Sequence, residues 1–161
     1  MATDERVPMT NRGYQFLMDE LKRLKSVERP KNVHEIEEAR EHGDLSENAE
    51  FHAAKDRQSL LDIQIREIED RLARAQVIDI TTLSGDKVVF GATVALADGD
   101  TGDKVIYKIV GDHEAEPKNG EISISSPVAR ALIGKSEGDE VQVRTPTGVR
   151  SFEILSIEYI D

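Results

Sequence analysis

The spacing of apolar residues changes once along this chain, and that change limits the folds open to it. Up to Val77 apolar residues recur at steps of three and four; beyond it they recur at steps of two. The first pattern is a helical stripe, the second a strand with one buried face. Leu61, Ile65, Ile68, Leu72 and Ala75 alternate steps of four and three over two heptads, which is a coiled-coil seam. Upstream, Tyr14, Leu17, Leu21 and Leu24 form a narrower seam behind Thr10, which is placed to cap that helix. Pro30 interrupts it and Val33, Ile36 and Ala39 resume the spacing, so one long helix with a kink or brief break near Arg29 is expected. Gly43 supplies a left-handed stop. Two helices of similar length joined by a short turn become neighbours by running antiparallel. About 30 residues of helix, at roughly 1.5 Å each, carry that turn about 45 Å outward. Acid-before-base pairs four apart, Asp62 with Arg66, Glu67 with Arg71 and Asp70 with Arg74, read as a solvated outer face.

Beyond Val77 the two-residue pattern gives five strands: Val88, Phe90, Ala92, Val94 and Leu96; Val105, Tyr107 and Ile109; Ile122 and Ile124; Val141 and Val143; Phe152 and Ile154. Turn-rich pieces at residues 98–103 and 145–148 separate them. Ser126 and Pro127 open a short helix that Gly134 closes, with a Ser cap, Pro in the first turn and Gly after the last. The expected fold is α+β. An N-terminal antiparallel two-helix coiled-coil hairpin occupies residues 1–77, and a mostly antiparallel sheet with one short helix occupies residues 78–161.

Composition narrows the function. The net charge of -11 argues against a general nucleic-acid binder, which gains affinity from clustered Lys and Arg. Residues 1–77 carry 13 Lys and Arg against 17 Asp and Glu, so the hairpin is not a hidden basic module. Zero cysteines exclude disulfides, thiolate zinc sites and Cys nucleophiles, and suit a reducing compartment. No apolar run is long enough to span a bilayer, and residues 1–10 lack the apolar core of a signal peptide. A cytoplasmic protein without a membrane partner is expected.

The hairpin turn, Gly43-Asp44-Leu45-Ser46-Glu47, places two carboxylates at the far end of the rod. Asp44 and Glu47 have the spacing of a capping box, which would give the same letters in any hairpin. Paired carboxylates also suit phosphodiester hydrolysis, which two metal ions about 4 Å apart serve by activating water and stabilising the leaving oxygen. Mg²⁺ keeps much of its water and needs few protein ligands, so two acids on an exposed turn amount to half a site. Spacing alone leaves both roles open, and they are compatible. His42 and His52 flank the acids without any metal-ligand spacing and read as tip packing or surface residues; Glu41, Glu50 and Arg57 read as solvated charge, and Asn48 as a residue that orients the turn.

Residues 38–54, Pro8-Met9-Thr10 with Gly13, Ala75-Gln76-Val77-Ile78-Asp79, Phe90-Gly91-Ala92-Thr93-Val94, Ile109-Val110-Gly111-Asp112 and the run from Ser126 to Lys135 together resemble the Gre transcript cleavage factor family, most closely its GreA-type members. The resemblance covers nearly the whole chain. It implies an FKBP-like C-terminal fold and a hairpin that enters the secondary channel of bacterial RNA polymerase. The tip acids would act there on the extruded 3′ end of nascent RNA in a backtracked complex.

Carried over residue by residue, the acids are Asp44 and Glu47, which would hold Mg²⁺ jointly with the polymerase's own acids, the free protein binding no cofactor. Arg40 and Lys55 approximate a small basic patch that would meet the RNA, while Ser46 stands where the family often has a basic residue. Ser126, Pro127, Ala129, Leu132 and Ile133 resemble the segment that docks on the polymerase. The chain would then be an accessory factor, monomeric when free, that accelerates the polymerase's own endonuclease, with a preference for short fragments. Two other readings remain: a binder of the same channel that modulates or inhibits without cleavage, and a coiled-coil adaptor whose acids only cap. The FKBP likeness raises prolyl isomerisation, but the domain offers only Phe90, Tyr107, Phe152 and Tyr159 as pocket aromatics, too few for that activity to be expected.

Overall fold

A computed structural model describes residues 6–43 and 47–160. They fall into two compact units, one of residues 14–75 and one that combines Arg6–Gly13 with Gln76–Asp161.

In the chain's first half, strand β1 (Val7–Thr10) leads into helix α1 (Asn11–Arg23). Thr10 Oγ1 accepts the backbone N–H of Gly13 at 3.0 Å, which is the expected cap. The expected break near Pro30 is a single π turn, Leu24–Glu28, which passes into helix α2 (Arg29–Glu41) with helical dihedrals at both ends. The Arg29 N–H reaches five residues back to the carbonyl of Leu24, and Pro30 sits in the first turn of α2, where its missing N–H costs least.

That turn resets the phase of the seam. Continued at steps of three and four, the stripe Leu17, Leu21, Leu24 would fall on Glu28, Lys31, Glu35 and Glu38, all charged. A π turn holds one extra residue, and the stripe moves by one onto Asn32, Ile36 and Ala39, all buried. Val33, expected in the seam, is 44% exposed, and Asn32 takes the inward place at 2%. Its Nδ2 donates to the carbonyl of Ala54 at 2.9 Å, which satisfies the buried amide.

Helix α3 (Ala49–Arg74) runs antiparallel to these, because Lys25 pairs with Glu69 at 3.0 Å, Arg29 with Asp62 at 3.3 Å and Glu35 with Arg57 at 2.6 Å, in opposite chain order. Asp62 thus serves the facing helix, while Asp70 and Arg74 make their local pair at 3.3 Å. Leu24, Leu61, Ile65 and Ile68 form the seam, flanked by Leu17, Leu21 and Leu72.

In the second unit, strand β2 (Ala75–Ile78) pairs with β1. Five further strands follow: β3 (Thr93–Asp98), β4 (Lys104–Val110), β5 (Glu121–Ser123), β6 (Glu140–Thr145) and β7 (Gly148–Glu158). They form one sheet of order β5-β4-β3-β7-β6, antiparallel except for the β4–β5 pair. Helix α4 (Pro127–Leu132) covers a core that includes Leu96, Ile109, Leu132, Val143, Phe152 and Ile154.

The first strand is shorter than the alternation Val88 to Leu96 suggests. Gly91 adopts φ +88°, and a Cβ there would collide with Ile80, so the chain turns before pairing begins at Thr93. Val88 is buried by other means. Its N–H donates to the carbonyl of Lys135 and its carbonyl accepts from Gly134, each at 2.8 Å.

Candidate functional site at the hairpin tip

Helix α2 ends where the N–H groups of His42 and Gly43 donate to the carbonyls of Ala39 and Arg40 at 3.2 and 3.5 Å. Gly43 has φ +113°, a conformation that spares the chain the penalty a side chain would bring. Asp44 and Ser46 lie outside the described residues. Helix α3 is capped by Asn48, whose Oδ1 accepts the Phe51 N–H at 3.0 Å. The Asp44–Glu47 spacing therefore does not cap α3, because the helix starts later than a capping box at those positions requires; Glu47 precedes the actual cap by one residue.

Asn48 does a second job. Its Nδ2 donates to the carbonyl of Ala39 at 2.6 Å, so one side chain caps α3 and occupies an orphan acceptor at the end of α2. The expectation that Asn48 orients the turn is met in a specific form. Glu47 is exposed and makes no hydrogen bond or ion pair to any of the described residues. A carboxylate in that state has its lone pairs available to an outside group.

Around the turn, the Arg40 guanidinium lies 6.0 Å from the centre of the Phe51 ring, and the His52 ring meets Phe51 edge-on at 5.7 Å. His42 Nε2 stands 3.7 Å from a carboxylate oxygen of Glu50. Lys55 donates to Gln58 Oε1 at 2.9 Å and stays exposed, as does Arg40. Arg57 is no loose surface charge, since it bridges to Glu35 on the facing helix. Among the described residues no three His, Asp or Glu side chains are grouped to hold a metal ion.

The segment expected to dock divides by burial. Ser126 caps α4, its Oγ accepting the Ala129 N–H at 3.3 Å. Ala129 and Leu132 are wholly buried, so they hold the helix to the sheet and are withdrawn as surface residues. Pro127 and Ile133 are exposed and remain available.

Sequence comparison places this geometry among known proteins. Residues 7–77 match the family described as transcription elongation factor, N-terminal (GreA_GreB_N), and residues 83–159 match transcription elongation factor, GreA/GreB, C-term. The Transcription elongation factor GreA of Caulobacter vibrioides (strain NA1000 / CB15N) is 61% identical over 97% of this chain and 99% of its own length. The protein of that name from Anaeromyxobacter sp. (strain K) is 59% identical over 98% and 95%. Among solved structures, the GreA factor homolog 1 (Gfh1) of Thermus thermophilus aligns over 96% of this chain and 99% of that one, at 30% identity and a TM-score of 0.43.

Proposed function

The chain belongs to the GreA/GreB family of transcription elongation factors, and from that premise we propose that its hairpin enters the secondary channel of bacterial RNA polymerase and stimulates cleavage of backtracked RNA. The observation that carries the proposal is Glu47, an exposed carboxylate unpartnered among the described residues, beside an Asn48 that ties α2 to α3. Its carboxylate is exposed beside the turn, where an outside group can reach it.

Asp44 and Glu47 would supply carboxylate ligands to a Mg²⁺ that the polymerase also holds. The bound ion would supply activation of water for phosphodiester hydrolysis. The chain's own residues have three tasks. Asn48 fixes the turn, Glu47 presents its carboxylate, and exposed Arg40 and Lys55 meet phosphates of the extruded RNA. Pro127 and Ile133 provide the exposed part of the docking segment. On this reading the protein is an accessory factor rather than a free-standing enzyme, monomeric and cytoplasmic, with no metal bound when alone. No helix among the described residues is long and apolar enough to cross a membrane.

The test adds the protein to a backtracked elongation complex with Mg²⁺ and follows the RNA. The expected result is a shortened transcript that can be extended. Asp44→Asn with Glu47→Gln should abolish the stimulation and leave the circular dichroism spectrum unchanged. Full cleavage by the double variant would refute the role of the acids. Binding without cleavage by the unaltered protein would instead mark it as a channel blocker, and neither binding nor cleavage as an adaptor.

A further inference from the structure

Asp112 lies in the loop after β4 of the sheet unit. Its Oδ1 accepts two side-chain hydrogen bonds, from Ser123 Oγ at 2.5 Å and from Ser125 Oγ at 2.7 Å. The two hydroxyls are 3.0 Å apart, and Ser123 Oγ also accepts the backbone N–H of Ser125 at 3.2 Å. These bonds hold the carboxyl below the usual carboxylate range, the Ser123 bond contributing most.

The residues so gathered are the approach to α4. Ile124 is fixed by its N–H to the carbonyl of Val110 at 2.9 Å, and the Ser126 N–H returns to the carbonyl of Ser123 at 2.9 Å. Ser126 then caps α4 and Pro127 follows, exposed. The approach from β5 to the exposed proline is thus held by two backbone hydrogen bonds, from Ile124 and Ser126, and by the Ser123 and Ser125 hydroxyls, which converge on one oxygen of Asp112.

We propose that Asp112 is a positioning residue for polymerase docking: by accepting from Ser123 and Ser125 it fixes the segment that presents Pro127. This rests on the reading of the chain as a polymerase-binding factor and adds to it the residue that preshapes the docking segment. An ordered segment loses less conformational freedom on association, which is where the affinity gain arises.

The geometry separates two ways in which Asp112 could matter. An asparagine keeps an acceptor oxygen for both hydroxyls and loses only the charge; an alanine loses both. Asp112→Ala, and the double change Ser123→Ala with Ser125→Ala, should each raise the half-saturating factor concentration in the cleavage assay about tenfold, with an unchanged maximal rate. That is the size expected for about 1.4 kcal/mol of docking free energy. Asp112→Asn should stay within about threefold of the unaltered protein, a shift of well under 1 kcal/mol. In the free protein, amide exchange at Ser125 and Ser126 should quicken in Asp112→Ala and not in Asp112→Asn.

Equal weakening by Ala and Asn would overturn the proposal and make Asp112 a direct charge contact. Unchanged half-saturation in Asp112→Ala would also overturn it. So would unchanged amide exchange in that variant, a readout that needs no polymerase and so stands apart from any failure of the proposed function. A fall in maximal rate at unchanged half-saturation would place Asp112 in the chemistry rather than in docking, again against the proposal.

Discussion

Asp98 shows how one carboxylate shapes a turn. The Arg150 guanidinium donates to its Oδ2 at 2.8 Å, and the N–H groups of Asp100 and Thr101 donate to its Oδ1 at 2.8 and 3.2 Å. Arg150 and then these two amides hold the carboxyl below its usual range. A carboxyl whose folded pKa is depressed adds stability above the unfolded value of about 3.9, and that stability drains away as pH falls through the lower folded value. Asp98→Asn should therefore melt below the unaltered protein at neutral pH. The gap between the two melting temperatures should close as pH is lowered from about 5 towards about 2; a gap independent of pH would disprove the argument. The sequence marks residues 98–103 as a turn but does not say which acid organises it, because the answer depends on Arg150, which comes from the paired strand β7.

At the scale of the element, the hairpin depends on the helical phase set between Leu24 and Glu28. Inserting one residue after Ser26, with the π turn kept, would turn Lys31, Glu35 and Glu38 towards the seam, where burying unpaired charge costs several kcal/mol per ion. We expect the insertion to remove most of the hairpin's cooperative melting by circular dichroism, while deleting Ser26, which leaves Asn32, Ile36 and Ala39 on the seam of an unbroken helix, or replacing it with Ala should leave the melting nearly intact. The helices, their antiparallel run and the α4 punctuation were legible because each rests on local spacing and caps. The phase after Pro30 was not. Val33 is the apolar residue and reads as the inward one, yet the π turn gives its place to Asn32, and only the run of charges at positions 28, 31, 35 and 38 hints at the shift. The cap of α3 was misplaced for a related reason. Asp44 and Glu47 match a capping box letter for letter, whereas Asn48 wins by also reaching Ala39 across the hairpin, a contact that spacing along one helix cannot reveal.

At the scale of the whole molecule, residues Arg6–Gly13, which precede the hairpin, belong to the sheet unit. Glu114 accepts the Thr10 N–H at 3.0 Å, the Thr10 hydroxyl and the Gly111 N–H at 2.9 Å, closing a contact across 104 positions. The strand Val7–Thr10 is not legible in the sequence, because four residues show no periodicity until their partner β2 is known. Thr10→Val and Glu114→Ala should each destabilise the protein by about 1.5–3 kcal/mol, the range for hydrogen bonds to a charged group. The double change should cost at least about 1 kcal/mol less than the two combined, since both remove one network. Strict additivity in urea denaturation would show that the contact adds nothing. Asp44 and Glu47 were readable as candidates from their place between two helical patterns, and their chemistry only by likeness, because the rest of any metal site would belong to another protein.

The same contact has a consequence for how such a chain diverges. A Cβ on Gly13 would collide with the Glu114 carboxylate, and one on Gly111 would stand 2.6 Å from it. Neither glycine is free to drift while Glu114 keeps its position, and a shorter side chain at 114 would leave a gap that both glycines border. Related chains should therefore keep or exchange residues 13, 111 and 114 as a set, two separate stretches of chain inherited as one character.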